Sequence, residues 1–281
     1  MWLTVIRTIT EMNEFALSNK DKSIGFVPTM GGLHSGHLSL VEKSIRENEV
    51  TIVSIFVNPT QFGANEDFDK YPRDMKKDIY LLSDYKVDAV FYPDYEKIYP
   101  KNFKTYVEVH DFGKKFCGKS RPDHFRGVAT IVCKLLNIIK PNLMYLGEKD
   151  FQQVFILERM LIDLNIPTKI KRCSIIREND GLAMSSRNIY LDITERKKAL
   201  CLYQSLKLAK KLFKEGETEV EYTRDKMAEL IDENDGVIDY IAFVNNVSFH
   251  EVNKLSPETR IILAVKIGNT RLIDNILLGK G

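Results

Sequence analysis

His34 and His37 stand three residues apart in the run Pro28-Thr29-Met30-Gly31-Gly32-Leu33-His34-Ser35-Gly36-His37. An apolar run, Ile24 to Val27, leads into it, and a helix-like pattern, Leu38 to Ile45, leads out. The motif therefore falls where a strand turns into a helix. Free backbone N–H groups and the helix dipole attract phosphate at such a junction. Glycine lets the backbone come close to a ligand, and imidazole can donate to the same anion. The chemistry suggested is nucleotide binding, with Met30, Gly31, Gly32, Leu33, His34, Ser35, Gly36 and His37 as candidate contacts. Two plainer readings stay open: a Gly-Gly turn with surface histidines, and a zinc site using histidines on one helix face. The zinc reading finds no third ligand at a recognisable spacing, and Cys117, Cys133, Cys173 and Cys201 are scattered.

Further polar clusters share this setting. Val57-Asn58-Pro59-Thr60-Gln61-Phe62-Gly63 follows a buried strand pattern directly. Asn58 and Gln61 can each donate and accept, which suits a neutral hydroxylated substrate or a carboxylate; a simple Asn-Pro turn is the alternative. Gly147-Glu148-Lys149-Asp150-Phe151-Gln152-Gln153 again joins a strand to a helix. Lys149 offers a cation where phosphate would lie, Asp150 could instead cap the helix, and Gln153 sits about one turn in. Asp180-Gly181-Leu182-Ala183-Met184-Ser185-Ser186-Arg187-Asn188 supplies hydroxyls and a guanidinium, a phosphate-binding kit or a polar linker. Arg121-Pro122-Asp123-His124-Phe125-Arg126-Gly127 either lines the same cleft or leads into a helix.

The elements that must hold these clusters alternate. Strand-like runs at Ile24 to Val27, Val50 to Val57, Ala89 to Tyr92, Leu143 to Leu146 and Lys169 to Ile176 are separated by helical patterns. Those patterns are Ser39 to Glu47, Asp74 to Ser83, Phe125 to Ile139 and Phe151 to Leu164. The alternation predicts an α/β fold, a Rossmann-like doubly wound parallel sheet. Past Arg177 the pattern changes. Asp192 and Glu195 mark a helix start, a basic amphipathic helix runs to about Lys214, and a second helix covers Glu221 to Ile231. Strands follow at Ile238 to Val244, Arg260 to Ile267 and Ile273 to Leu277. The expected division is residues 1–176, binding nucleotide and substrate, and residues 177–281, a smaller α+β domain serving as a lid. The strand Val50 to Val57 is either core or a dimer edge.

The chain of 281 residues is 44% hydrophobic and 28% charged, ordinary for a globular protein. With 41 basic and 39 acidic side chains the net charge is +2, which gives no electrostatic footprint for nucleic acid. No apolar run reaches the ~18 residues of a membrane helix, and Met1 to Thr10 do not read as a secretory leader. The cysteines suggest no disulfide framework, so a reduced, cytoplasmic setting is expected.

The motifs PTMGGLHSGH, VNPTQFG, YPRD (Tyr71 to Asp74), CGKSRPDHFRGV (Cys117 to Val128), GEKDFQQ and DGLAMSSRN occur in one order from Pro28 to Asn188. Together they resemble the pantoate–β-alanine ligase (pantothenate synthetase) family, part of the wider HxGH nucleotidylyl-transferase superfamily. Gly32 departs from the family, which often carries alanine or tyrosine there. Arg187 stands where the superfamily often has lysine. The resemblance implies ATP-dependent joining of (R)-pantoate to β-alanine through a pantoyl adenylate, releasing AMP and pyrophosphate. It implies that His34, His37 and Lys149 are catalytic and that the HxGH loop, Gly147 to Asp150, Ile176 and Met184 to Arg187 bind ATP. It implies pantoate and β-alanine at Gln61, with Gln153 and Asn58 also on substrate. Mg²⁺ is expected with the nucleotide, without a protein metal cage, and a homodimer is expected. A nucleotidylyltransferase acting on a phosphorylated acceptor is the alternative enzyme, disfavoured because Gln61 and Gln153 suit a neutral polyol carboxylate. A nucleotide-binding regulatory protein is the non-enzymatic alternative.

Overall fold

The computed structural model describes residues 3–64 and 66–279, and the chain divides into two compact units. The first comprises residues 1–148 and 152–174, the second residues 149–151 and 175–281.

The first unit contains strands β1 (Thr4–Ile6), β2 (Ile24–Thr29), β3 (Val50–Ile55), β4 (Ala89–Phe91), β5 (Leu143–Gly147) and β6 (Lys169–Cys173). Its main helices are α1 (Ile9–Ser18), α2 (Ser35–Glu47), α3 (Met75–Ser83), α6 (His124–Ile139) and α7 (Phe151–Asp163), with single turns α4 (Tyr95–Ile98) and α5 (Cys117–Ser120). The strands form one sheet in the order β1-β4-β3-β2-β5-β6, parallel throughout. The doubly wound sheet is as expected.

Both faces of this sheet are covered, which is why its strands read as apolar runs rather than alternations. The alternation is real but hidden: Ile24, Phe26, Val50, Ile52, Met144 and Leu146 pack on one side with α6 residues such as Val128 and Leu135. Val27, Val53, Ile55 and Tyr145 face the other side with Leu40 and Val41 of α2. Strand β3 lies between β2 and β4 and is buried along its whole length, so it is core and not an edge.

Strand order reverses at β2, which feeds β3 and β4 on one side and meets β5 and β6 on the other. Ligands of open α/β sheets bind at the carboxyl ends of strands beside such a switch point. Thr29 pairs with Ile55, and Gly25 and Phe26 pair with Leu143 and Met144. Strands β2, β3 and β5 therefore end together, and the three polar clusters that follow them leave the sheet side by side.

The second unit holds α8 (Ile193–Lys198), α9 (Cys201–Lys214) and α10 (Val220–Asp232), with β7 (Val237–Asn245), β8 (Thr259–Ile267) and β9 (Thr270–Leu277). The strands form an antiparallel sheet, β7-β8-β9. Leu202, Leu206 and Ala209 of α9 and Met227 and Ile231 of α10 pack on Phe243, Ile261, Leu263 and Val265.

Several boundaries differ from expectation. The basic helix from Asp192 to Lys214 is two helices, since the chain turns at Ala199 and Leu200; no Gly or Pro marks that turn. The last parallel strand stops at Cys173 rather than Ile176, and the first unit ends at Ser174. Helix α2 begins at Ser35, not Ser39, because the His34 side chain caps it. Strand β1 and helix α1 precede the first expected strand. A capping box, Thr8 with Glu11, opens α1, and that T-x-x-E spacing is legible in the sequence.

Candidate active site

The turn after β2 is built by two glycines and an acid. Gly31 and Gly32 take φ of 81° and 62°, a left-handed region that glycine enters at no steric cost. The Asp78 carboxylate, on α3, accepts from the Gly32 N–H at 3.0 Å and the Leu33 N–H at 2.8 Å. Thr29 Oγ1 donates to the Ser54 carbonyl and accepts from the Gly31 N–H. Asp78 is 2% exposed, and burial pushes its carboxyl above the usual range despite those two backbone donors.

His34 occupies the N-cap of α2 with an extended backbone, and its Nδ1 accepts from the Gly36 N–H at 3.1 Å. Serine, threonine, asparagine or aspartate usually does this. An accepting Nδ1 carries no proton, so the neutral ring holds its hydrogen on Nε2 and donates from there. His37 lies in the first turn of the helix, its ring centroid 4.1 Å from that of His34. Two imidazoles thus crowd the positive end of a 13-residue helix.

Beyond β3, Gln61 is buried in a 3₁₀ turn, Pro59–Gln61. Its Oε1 accepts from Asn58 Nδ2 at 3.0 Å, and its Nε2 lies 3.1 Å from Met30 Sδ, so this amide adjoins the histidine loop. Asn58 is 1% exposed. Its Nδ2 also donates to the Gly127 carbonyl, and its Oδ1 accepts from Thr60 Oγ1 and the Tyr99 hydroxyl. Asn58 is thus engaged by protein groups and fixes Gln61. Burial pushes the Tyr99 hydroxyl up to about 12, so it stays a donor at neutral pH. A Cβ on Gly127 would lie 2.2 Å from the Thr60 carbonyl oxygen, so glycine is what lets α6 touch this turn.

After β5, a Cβ on Gly147 would meet nothing within 4 Å, leaving the backbone open on that side. Gln152 and Gln153 then part ways. Gln152 is buried and ties down the segment before α5, accepting from the Cys117 N–H and donating to the carbonyls of Phe112 and Lys115. Gln153, half-buried, makes no side-chain hydrogen bond among the described residues.

Lys149 and Asp150 group with the second unit. The Lys149 ammonium is 3.5 Å from Asp150 Oδ2, and its carbonyl accepts from Asn275 Nδ2 at 3.0 Å. In the same unit, Ile176 and Met184 close a small hairpin through the Met184 N–H to the Ile176 carbonyl, bridged between Arg177 and Ala183. Ser185 Oγ caps the following 3₁₀ turn (Ser186–Tyr190) by accepting from the Arg187 N–H. The DGLAMSSRN run is therefore a hairpin and a capped turn rather than a plain linker. Arg177 pins the hairpin to β9, pairing with both oxygens of Asp274 at 2.6 and 2.9 Å and donating to the Gly181 carbonyl.

The family profile described as pantoate–β-alanine ligase matches residues 4–277. The chain belongs to that family. A pantothenate synthetase of Thermotoga petrophila is 50% identical over 280 residues, spanning 99% of this chain and all of the relative. One of Caldicellulosiruptor bescii is 51% identical over 279 residues, 98% of this chain and 99% of the relative. Among solved structures, a pantothenate synthetase from Thermus thermophilus superposes with a TM-score of 0.94 at 38% identity, covering 99% of this chain and all of that one. A pantoate–β-alanine ligase from Francisella tularensis, solved with β-γ ATP and β-alanine, gives 0.84 at 39% identity, with 99% of each chain covered.

Within this pantoate–β-alanine ligase family fold, the segment Arg121 to Gly127 is the helix-entry loop that one of its two readings expected. It leads into α6, and it also touches Gln61. Arg121 Nη2 donates to the Gln61 carbonyl at 3.2 Å, and His124 Nδ1 lies 2.8 Å from the same oxygen. Arg121 Nη1 is 3.2 Å from His124 Nε2. Because arginine only donates, Nε2 must accept, and the His124 proton sits on Nδ1, donating to Gln61. Arg121 also pairs with both carboxylate oxygens of Glu66, Nε to Oε1 at 2.7 Å. No local spacing announces Asp78, Tyr99 or Glu66 in the sequence; each acts across 39 or more positions, as Asp78 does from 45 residues away.

Proposed function

We propose that this chain condenses (R)-pantoate with β-alanine at the expense of ATP, in two steps through a pantoyl adenylate. The observation that carries this reading is the placement of Gln61, a buried amide, beside Met30 at the root of a loop that ends in two imidazoles at a helix N-terminus. A phosphate-attracting end and a neutral hydrogen-bonding pocket are what an acid-activating enzyme needs side by side.

A carboxylate is a poor acyl donor because oxide would have to leave. In the first step a pantoate carboxylate oxygen attacks the α-phosphorus of ATP, and the bond to pyrophosphate breaks. In the second the β-alanine amine attacks the acyl carbon, the bond to AMP breaks, and the nitrogen loses a proton. Charge builds on phosphate oxygens in both steps, and fixed donors aimed there lower the barrier. His34, donating from Nε2, and His37 take the triphosphate, and His37 is assigned as proton donor to the leaving pyrophosphate. Lys149 neutralises phosphate charge. Met30 to His37 form one wall of the ATP site, Gly147 to Asp150 follow the ribose and adenine, and the Ile176 backbone meets adenine. Met184, Ser185, Ser186 and Arg187 cover the phosphates, and residues 177–281 are assigned the lid role. Gln153 and Gln61 hold pantoate, Gln61 also borders the β-alanine place, and Asn58 acts through Gln61.

Mg²⁺ accompanies the nucleotide in this reading, held by phosphate oxygens and water. Among the described residues no group of three or more His, Cys, Asp or Glu side chains is placed to hold a metal, and both Asp78 oxygens are engaged by the loop. No step above is routed through the ion. The assembly implied by the resemblance is a cytoplasmic homodimer, which light scattering would measure; among the described residues no helix is long and apolar enough to cross a membrane.

The test is product analysis. Incubation with ATP, pantoate and β-alanine should yield AMP and pyrophosphate in equal amounts, and pantoate alone should support ATP–pyrophosphate exchange. Formation of ADP, or exchange indifferent to pantoate, would overturn the adenylate route.

A further inference from the structure

The guanidinium of Arg121 touches the main chain of Gln61, the residue assigned to both acid substrates. Its side chain is 13% exposed and that of Glu66 is 23% exposed, so this pair is largely withdrawn from water. Glu66 offers both oxygens to the planar fork, which is the way arginine recognises any carboxylate. The far side of the guanidinium is held by His124 and the Gln61 carbonyl, so its orientation is set without Glu66. A preorganised, part-buried arginine thus presents its fork beside the acyl pocket, filled by a carboxylate of the protein itself.

The second substrate is a zwitterion. Its amine must reach the acyl carbon, and its carboxylate lies two carbons beyond. We propose that Arg121 is the carboxylate receptor for this ω-amino acid, and that the Glu66 carboxylate fills the receptor until the substrate takes its place. This deepens the ligase reading and rests on it. Exchanging one carboxylate for another preserves the charge and the fork geometry, so no buried charge is left unpaired during the swap. An amine without a carboxylate has nothing to exchange and gains no hold. The arrangement selects β-alanine by its acid end while the chemistry occurs at its amine end.

The experiment uses the full chain with Arg121→Gln and Glu66→Gln. Two quantities are read: pantoate-dependent ATP–pyrophosphate exchange without β-alanine, and amide formation with β-alanine or with uncharged β-alaninamide. Arg121→Gln should raise the KM for β-alanine by about 30-fold or more, the usual effect of removing one partner of a buried charge pair. Exchange should change much less, and the preference for β-alanine over its amide should largely vanish. Glu66→Gln should lower the KM for β-alanine, because the competing carboxylate is gone. If Arg121→Gln damages exchange and amide formation alike, or leaves the preference intact, the pair is a structural pin and the proposal fails. Should Arg121→Gln not fold, Glu66→Gln decides: a lowered KM supports the proposal, and an unchanged or raised one overturns it. Loss of pantoate-dependent exchange in the unaltered protein would instead sink the ligase reading, a separate failure.

Discussion

The hydrogen bond from the Gly36 N–H to His34 Nδ1 sets what this histidine can do. It makes the ring a helix cap and, by fixing the tautomer, a donor at Nε2. Cap and donor can be separated by substitution. His34→Ala should lose both, lowering stability by about 1 kcal/mol, typical for a lost cap, and slowing pantoate-dependent exchange roughly 10²-fold. His34→Asn should restore the melting temperature, since asparagine caps well, but not the rate. Recovery of the rate by asparagine would mean that His34 serves the fold alone. His37→Ala, which removes no cap, should slow exchange by a similar factor at unchanged stability. The sequence showed the two histidines and their strand–helix setting. It did not show their division of labour, because capping by histidine is uncommon and depends on where the helix begins.

At the scale of elements, the loop after β2 is held from α3. Asp78 receives two loop N–H groups, and a Cβ on Gly31 would come within 2.8 Å of its Oδ2. Asp78→Asn leaves one accepting oxygen and points an NH2 at the other N–H. The expected result is a raised KM for ATP, with the stability change softened by removal of a buried charge. The pH dependence has a definite sign. Burial raises the folded-state pKa above the ordinary value of 3.8, so the folded protein takes up this proton before the unfolded chain does. The contribution of Asp78 is fully present below the unfolded value and is lost as pH rises through the folded one. Urea midpoints of the native protein should therefore gain on those of Asp78→Asn as pH is lowered toward the ordinary value of 3.8. A constant gap would show that the carboxyl is not raised. The strands and long helices of this unit were legible because burial on both sheet faces leaves apolar runs of the right length. Asp78 was not, because its role is a tertiary contact between a loop and a helix with no period or motif of its own.

For the whole molecule, each unit has its own buried core, and the second also contains the ion pair of Arg177 with buried Asp274. Asp274 is 2% exposed, and burial pushes its carboxyl upward against the pull of Arg177 and Lys149. Arg177 joins it to the hairpin bearing Ile176 and Met184 and stacks its guanidinium carbon 3.8 Å from the Tyr203 ring centroid. The C-terminal third carried few motifs, and this pair spans 97 positions, so pattern reading had no means of joining its ends. Arg177→Ala should cost about 3–5 kcal/mol, the usual loss when one partner of a buried pair is removed. Most of that loss is the stranded carboxylate rather than the missing attraction. It follows that Asp274→Asn, added to Arg177→Ala, should recover much of the melting temperature. Acidification should do likewise, because without Arg177 the folded pKa of Asp274 rises further and its protonation relieves the strain at low pH. If the double variant melts no higher than Arg177→Ala alone, the hairpin is held by the Tyr203 stack and the Gly181 carbonyl, and the buried charge is incidental to the stability of this unit.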